Sequence, residues 1–287
     1  MPGTAARGML HANSTERPDT VRGGASGFQL SKWYLDCVAA DGTAFIGYSA
    51  AMQWLGLSVH YAGTLLAAPG AALATAATVR RTAPPVARGD ELCWDAPAVG
   101  VAGTWRRTGP AVAALLHEDA AGRKVEWACT HPRADVRVEI AGHGVVEGLG
   151  YVEHLTLTVP PWQLPMTELH WGRFLTPADT VAWIQWRGPL PQTRVFHNGA
   201  GVTNPTIEAD AVAWPGHTLA LPAARRRIIR EGPVVPSAIA GLPGLRRLLP
   251  RSIRDTCEAK WVTRGELSAG DAPASAGWAI HEVVRWG

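Results

Sequence analysis

Short runs of β-branched and aromatic residues recur along this chain every 10 to 20 residues or so, separated by Gly, Pro, Asn and Asp. That spacing, with turn-forming residues between the runs, is the pattern of antiparallel sandwiches and barrels. The candidate strands are 32–39, 43–48, 125–129, 136–140, 151–159, 180–186, 193–197, 212–214, 226–230, 260–263 and 278–286. The apolar stretch 50–68 carries Gly56 and Gly63, which argue against one continuous helix, while Trp54, Val59 and Tyr61 favour strand. Helical signals are few. Residues 110–118 fit a turn or two of helix, and 244–256 a short helix broken by Pro250. The expected class is all-β with few short helices.

Composition narrows the partners. With 47% hydrophobic and 18% charged residues the chain is globular, and 27 basic residues against 24 acidic fall short of a nucleic-acid-binding footprint. Cys37, Cys93, Cys129 and Cys257 stand far apart with no partner His at ligand spacing, so neither a metal site nor a disulfide framework is expected. No apolar signal-peptide core and no run of 18 apolar residues occurs, which points to a cytoplasmic protein. Only three of the basic residues, Lys32, Lys124 and Lys260, are lysines. The arginines between Arg225 and Arg254, beside Leu245, Leu248 and Leu249, suit either a solvated face or weak peripheral contact with an anionic membrane.

Residues 1–27 lack periodicity and read as a disordered tail. An internal echo links Gly148-Leu149-Gly150-Tyr151-Val152-Glu153-His154 to Gly277-Trp278-Ala279-Ile280-His281-Glu282, as two barrel modules in tandem would produce. Pro160, Pro161 and Pro165 interrupt any central strand, which places the seam there: one module over 28–165, a second over 166–287.

No P-loop, GxSxG or HExxH motif is present, and the glycine pairs have the wrong context for a dinucleotide fold, so no cofactor is expected. Acid, imidazole, phenol and indole groups concentrate in 148–174 instead. On a strand, Tyr151 and Glu153 share one face, and Val152 and His154 the other. In a barrel interior, desolvation would keep Glu153 protonated and make it a general acid; otherwise it faces solvent or pairs with a cation such as Arg173. His154 is either structural or catalytic. Trp171, Trp183 and Trp186 are candidates to stabilise a cation, although Trp183 and Trp186, three apart, cannot both face inward on a regular strand.

Gly150-Tyr151-Val152-Glu153-His154 followed by His170-Trp171-Gly172 resembles a stretched form of the Gly-Tyr-x-Asp-His-x-Trp-Gly motif of the carotenoid 1,2-hydratase (hydroxyneurosporene synthase) and AttH-like group. Lys32-Trp33-Tyr34-Leu35-Asp36 with Asp41-Gly42 is similar to that group's first hairpin, and Trp94-Asp95 to a Trp-Asp before its middle strands. The resemblance implies two lipocalin-like β-barrel modules and a hydratase or cyclase of lipophilic isoprenoid- or polyketide-derived molecules. It places Glu153 at the protonating acid, with Tyr151 and His154 beside it, and adds Trp33 and Trp94 to the indoles expected around the substrate. The alternative is a lipocalin-like carrier in which Glu153 is structural. Both readings expect an apolar cavity inside a module, bordered by Tyr151, Glu153 and Trp171.

Overall fold

The computed structural model describes residues 27–233, 251–270 and 272–286, without the side chains of Ser252 and Ile253. The expected tail lies almost wholly outside these, as does most of the expected helix at 244–256, of which Arg251–Arg254 forms one turn, α1.

The chain folds into two curled antiparallel sheets of ten strands each, forming half-barrels. The first comprises β1 (Gln29–Val38), β2 (Ala44–Trp54), β3 (Leu57–Ala67), β4 (Ala74–Thr78), β5 (Val86–Arg88), β6 (Glu91–Ala96), β7 (Val101–Arg107), β8 (Val112–Glu118), β9 (Lys124–Ile140) and β10 (Gly144–Leu157). The second comprises β11 (Glu168–Leu175), β12 (Thr180–Arg187), β13 (Gln192–His197), β14 (Ala200–Gly201), β15 (Thr206–Ile207), β16 (Ala211–Trp214), β17 (His217–Ala220), β18 (Arg226–Pro233), β19 (Cys257–Ala269) and β20 (Ser275–Arg285). The first sheet runs β4-β3-β2-β1-β10-β9-β7-β6-β5 with β8 also on β9, and the second repeats this order ten strands later, with β18 on β19.

Each sheet curls until its distant strands meet. Phe45 of β2 lies 6.4 Å from Trp105 of β7, and His197 of β13 lies 5.2 Å from Trp214 of β16, although several strands separate each pair in the sheet order. The enclosed faces carry separate cores: Leu35, Leu92, Trp94 and Val138 in the first half-barrel, Phe174, Trp183, Val212 and Leu219 in the second. Strand alternation sends the intervening residues the other way. Tyr34, Ile46, Trp127 and Tyr151 of the first sheet and Trp171, Ile184, Trp186 and Ile280 of the second join in one shared core between the half-barrels.

The off-path strands close this seam reciprocally. Gln192 and Arg194 of β13 donate to the carbonyls of Leu116 and Leu115 on β8, and Arg227 of β18 donates to Ala67 and Gly42 of the first half. Arg225 pairs with Glu266 and Arg226 caps the carbonyls of Ala209 and Leu221, so this part of the arginine-rich stretch is engaged by protein; Arg246 and Arg247 lie outside the described residues. No described helix is long and apolar enough to cross a membrane.

One expected helix is a strand. Residues 110–118 form a strand, because alternation gives Val112, Ala114 and Leu116 a common face in the shared core, and β9 supplies the pairing that overrides the helix propensity of Ala and Leu. The strands of 86–107 escaped notice because Arg, Asp and Gly dilute their apolar pattern.

Candidate active site between the half-barrels

The register of β1 and β11 makes the two halves comparable residue by residue. Val38 pairs with Leu149 and Leu175 with Trp278, so Gly148 matches Gly277 and, five residues on, Glu153 matches Glu282. Both glycines are forced: a Cβ at Gly148 would lie 2.2 Å from the Val38 carbonyl oxygen, and one at Gly277 2.2 Å from that of Leu175. By the same register Tyr34 matches Trp171, Asp36 matches Arg173, and Cys129 matches Lys260. The echo in the sequence is thus a repeated strand pair whose polar residues have diverged.

These positions face one another across the seam. Arg173 Nη2 lies 2.7 Å from Asp36 Oδ1 and Arg173 Nε 3.0 Å from Oδ2, a bidentate pair with both side chains fully buried. Burial would strip Arg173 of its charge, and the Asp36 carboxylate more than restores it. This pair ties β1 to β11.

Glu153 Oε2 accepts three hydrogen bonds: from Trp127 Nε1 at 2.5 Å, Tyr151 Oη at 2.8 Å and Trp171 Nε1 at 3.0 Å. Among the described residues, none reaches Oε1. The residue is 8% exposed, so the carboxyl keeps a narrow accessible edge. Burial raises its pKa, and although Trp127, Tyr151, Lys32 and Trp171 oppose this, burial prevails. With three donors on Oε2, the proton of the neutral acid belongs on Oε1, the free oxygen. An aromatic cluster adjoins it: the Tyr34 ring lies 4.8 Å from Trp171 and 6.2 Å from Tyr151, and Trp127 stacks on Phe196 at 5.3 Å.

The matching place in the second half is ionic. Lys260 Nζ lies 3.0 Å from Glu258 Oε1, contacts Glu282 Oε2, donates to Tyr48 Oη at 2.7 Å and sits 5.3 Å from the ring centres of both Tyr34 and Tyr48. Burial acting against the charge of Lys260 is outweighed by its two carboxylates. Burial and the neighbouring Glu258 carry Glu282 up to about 7 against the pull of Lys260. Glu258, with Lys260 and Arg230 opposing its burial, falls to about 2. Lys32, 5.4 Å from the Tyr48 ring centre, lowers the pKa of both Glu153 and Glu282.

The residues singled out in the sequence divide between faces. Tyr151, Glu153 and Trp171 meet at the seam, in the core that the half-barrels share and not inside either one. Trp186 joins the shared core beside His117 of β8, while Trp183 turns into the core of the second half-barrel, as strand parity requires. Trp94 lies in the core of the first half-barrel, and Trp33 packs against it. His154 points away from Glu153, stacked on Trp33 at 4.2 Å and hydrogen-bonded to Ser31 Oγ at 2.8 Å, with its pKa lowered by burial. Sequence reading missed Trp127, Tyr48, Glu258, Lys260 and Glu282. Two signals pointed there: aligning the echo on Gly148 and Gly277 puts Glu282 at the place of Glu153, and two of only three lysines face this seam. A separate open groove of about 510 Å³, lined by Thr206, Trp214 and His217 among others, lies at the second half-barrel and borders none of these groups.

No protein-family model and no curated protein matches the sequence. Solved structures share the fold. CghA superposes with a TM-score of 0.53 at 13% identity, covering 90% of this chain and 88% of that one. A putative AttH from Nitrosomonas europaea gives 0.51 at 10% identity over 89% of this chain and 92% of that one. Kievitone hydratase from Nectria haematococca gives 0.50 at 10% identity, over 91% and 89%. This chain has the tandem lipocalin-like fold of these proteins.

Proposed function

We propose that the chain is a cofactor-independent enzyme acting on a lipophilic isoprenoid- or polyketide-derived molecule by acid-catalysed hydration of, or cyclisation at, a carbon–carbon double bond. The observation that carries this reading is the state of Glu153: buried, inclined to hold its proton, three donors fixing one oxygen and the other left free. A group of that kind delivers a proton to a weakly basic carbon when apolar walls exclude water. The electron-rich faces of Tyr34, Trp127 and Trp171 then stabilise the cation that forms. Water completes a hydration, or a second part of the substrate a ring closure. Kievitone hydratase is by name a hydratase, and CghA has been crystallised with Sch210972, which favours the same direction for a chain of this fold.

The test is a panel of isoprenoid and polyketide-derived alkenes incubated with the protein in deuterated water, with products read by mass spectrometry. The expected product is heavier by one water, or is an isomer, and carries one carbon-bound deuterium. Glu153→Gln is expected to lower turnover by about 10²- to 10⁴-fold while ligand affinity stays almost unchanged. A carrier would bind without turnover and lose little in the variant, and that result overturns the proposal.

A further inference from the structure

Glu282 occupies in the second half-barrel the place that Glu153 occupies in the first, yet the two carboxyls are held in opposite ways. Glu153 is surrounded by neutral donors. Glu282 shares an ammonium with a second carboxylate, since Lys260 bridges it to Glu258. The cross-strand neighbours are exchanged between the halves: Trp171, paired with Glu282 across β11 and β20, donates its indole N–H to Glu153, while the ring of Tyr34, paired with Glu153 across β1 and β10, covers Lys260. The two acids therefore flank one packed aromatic cluster from its two sides. Tyr34 sits between them, 3% exposed, with its hydroxyl beside the Asp36 carboxyl. Glu282 keeps 13% of its side chain accessible, against 7% for Glu258, so of this cluster it is the more accessible carboxyl.

We propose that a ligand-binding compartment opens at this cluster and that Glu282 is its proton acceptor, working opposite Glu153. The inference rests on the reading of Glu153 as proton donor. In a hydration, the Glu153 O–H bond breaks as a C–H bond forms; a water oxygen bonds to the cationic carbon, and the proton that water loses passes to the Glu282 carboxylate. In a cyclisation that ends by losing a proton, the broken bond is a C–H, its electron pair closes a double bond, and the proton again goes to Glu282. Either way the two carboxyls finish with exchanged protonation, and exchange with solvent water resets them. Lys260 and Glu258 have distinct parts: the ammonium holds Glu282 in place, and the permanent charge of Glu258 keeps Glu282 basic enough to accept a proton near neutrality.

The test needs no substrate. Protonated N,N-dimethyldecylamine, a tertiary cation on an alkyl chain, mimics a bound carbocation, and 1-decanol is its neutral control. Binding of each to the full chain is measured by calorimetry between pH 5.5 and 8.5. The groups that face Glu282 are Lys260 and Glu258 of β19, Lys32 and Tyr34 of β1 and Tyr48 of β2, with Arg230 of β18 beside Glu258. Of these, Glu282 is the group that burial and Glu258 carry up to about 7. Ionising it makes the compartment more negative, so the amine is expected to bind roughly tenfold tighter at pH 8 than at pH 6, releasing a proton below the midpoint, whereas decanol affinity is flat. In Glu282→Gln that slope disappears while decanol binding is retained, which also reports that the variant is folded. In Glu153→Gln the slope persists. A slope that survives Glu282→Gln, or that Glu153→Gln abolishes, overturns the assignment, as does an amine bound with no pH dependence. If neither probe binds at any pH, the compartment itself is refuted and the assignment falls with it.

Discussion

Asp36 and Arg173 stand at matching positions of the two half-barrels and neutralise each other where those halves meet. A fully buried pair of this kind adds little net stability over an apolar pair of the same shape, but removing one partner leaves the other charge stranded. Asp36→Ala is therefore expected to cost about 3–5 kcal/mol in urea unfolding, and Asp36→Leu combined with Arg173→Met to recover most of that loss. If the single variant costs under about 1 kcal/mol, the pair does not hold the halves together. The sequence made Glu153 legible because strand parity put it beside Tyr151 and opposite His154. It left Asp36–Arg173 illegible, since two residues 137 positions apart meet only through the packing of separate sheets.

At the scale of elements, β10 and β20 are built alike because each must approach its neighbour at a glycine. Adding a methyl group at Gly148 or Gly277 drives a Cβ into a backbone carbonyl, which cannot move aside as a flexible side chain would. Gly148→Ala and Gly277→Ala are each expected to destabilise the chain by roughly 1–3 kcal/mol in thermal or urea melts, and to similar extents. A neutral result at either position would contradict the matched register. β8 teaches the converse lesson about legibility. Its Ala- and Leu-rich sequence carries no strand propensity of its own, and only pairing with β9 and burial against the second half-barrel make it a strand. Trp183 and Trp186 were separable from sequence because their spacing of three fixes opposite faces, whereas nothing local distinguished a seam-facing surface from a barrel interior.

For the whole molecule, the shared core and the reciprocal contacts of β8 and β18 make the halves interdependent. The full chain is expected to unfold in one cooperative transition, with calorimetric and van't Hoff enthalpies in agreement, and residues 27–165 expressed alone to expose the seam face and associate. Two resolved transitions would contradict that interdependence. The central claim is that chemistry takes place at the seam, beside Glu153, and not inside either half-barrel. A crystal structure with a bound product or unreactive analogue drawn from the alkene panel tests it most directly. The account expects the reacting carbon about 3–3.5 Å from Glu153 Oε1, beside the rings of Tyr34 and Trp171. A ligand seated instead in the groove beside Trp214 and His217, with Glu153 out of reach, would contradict it.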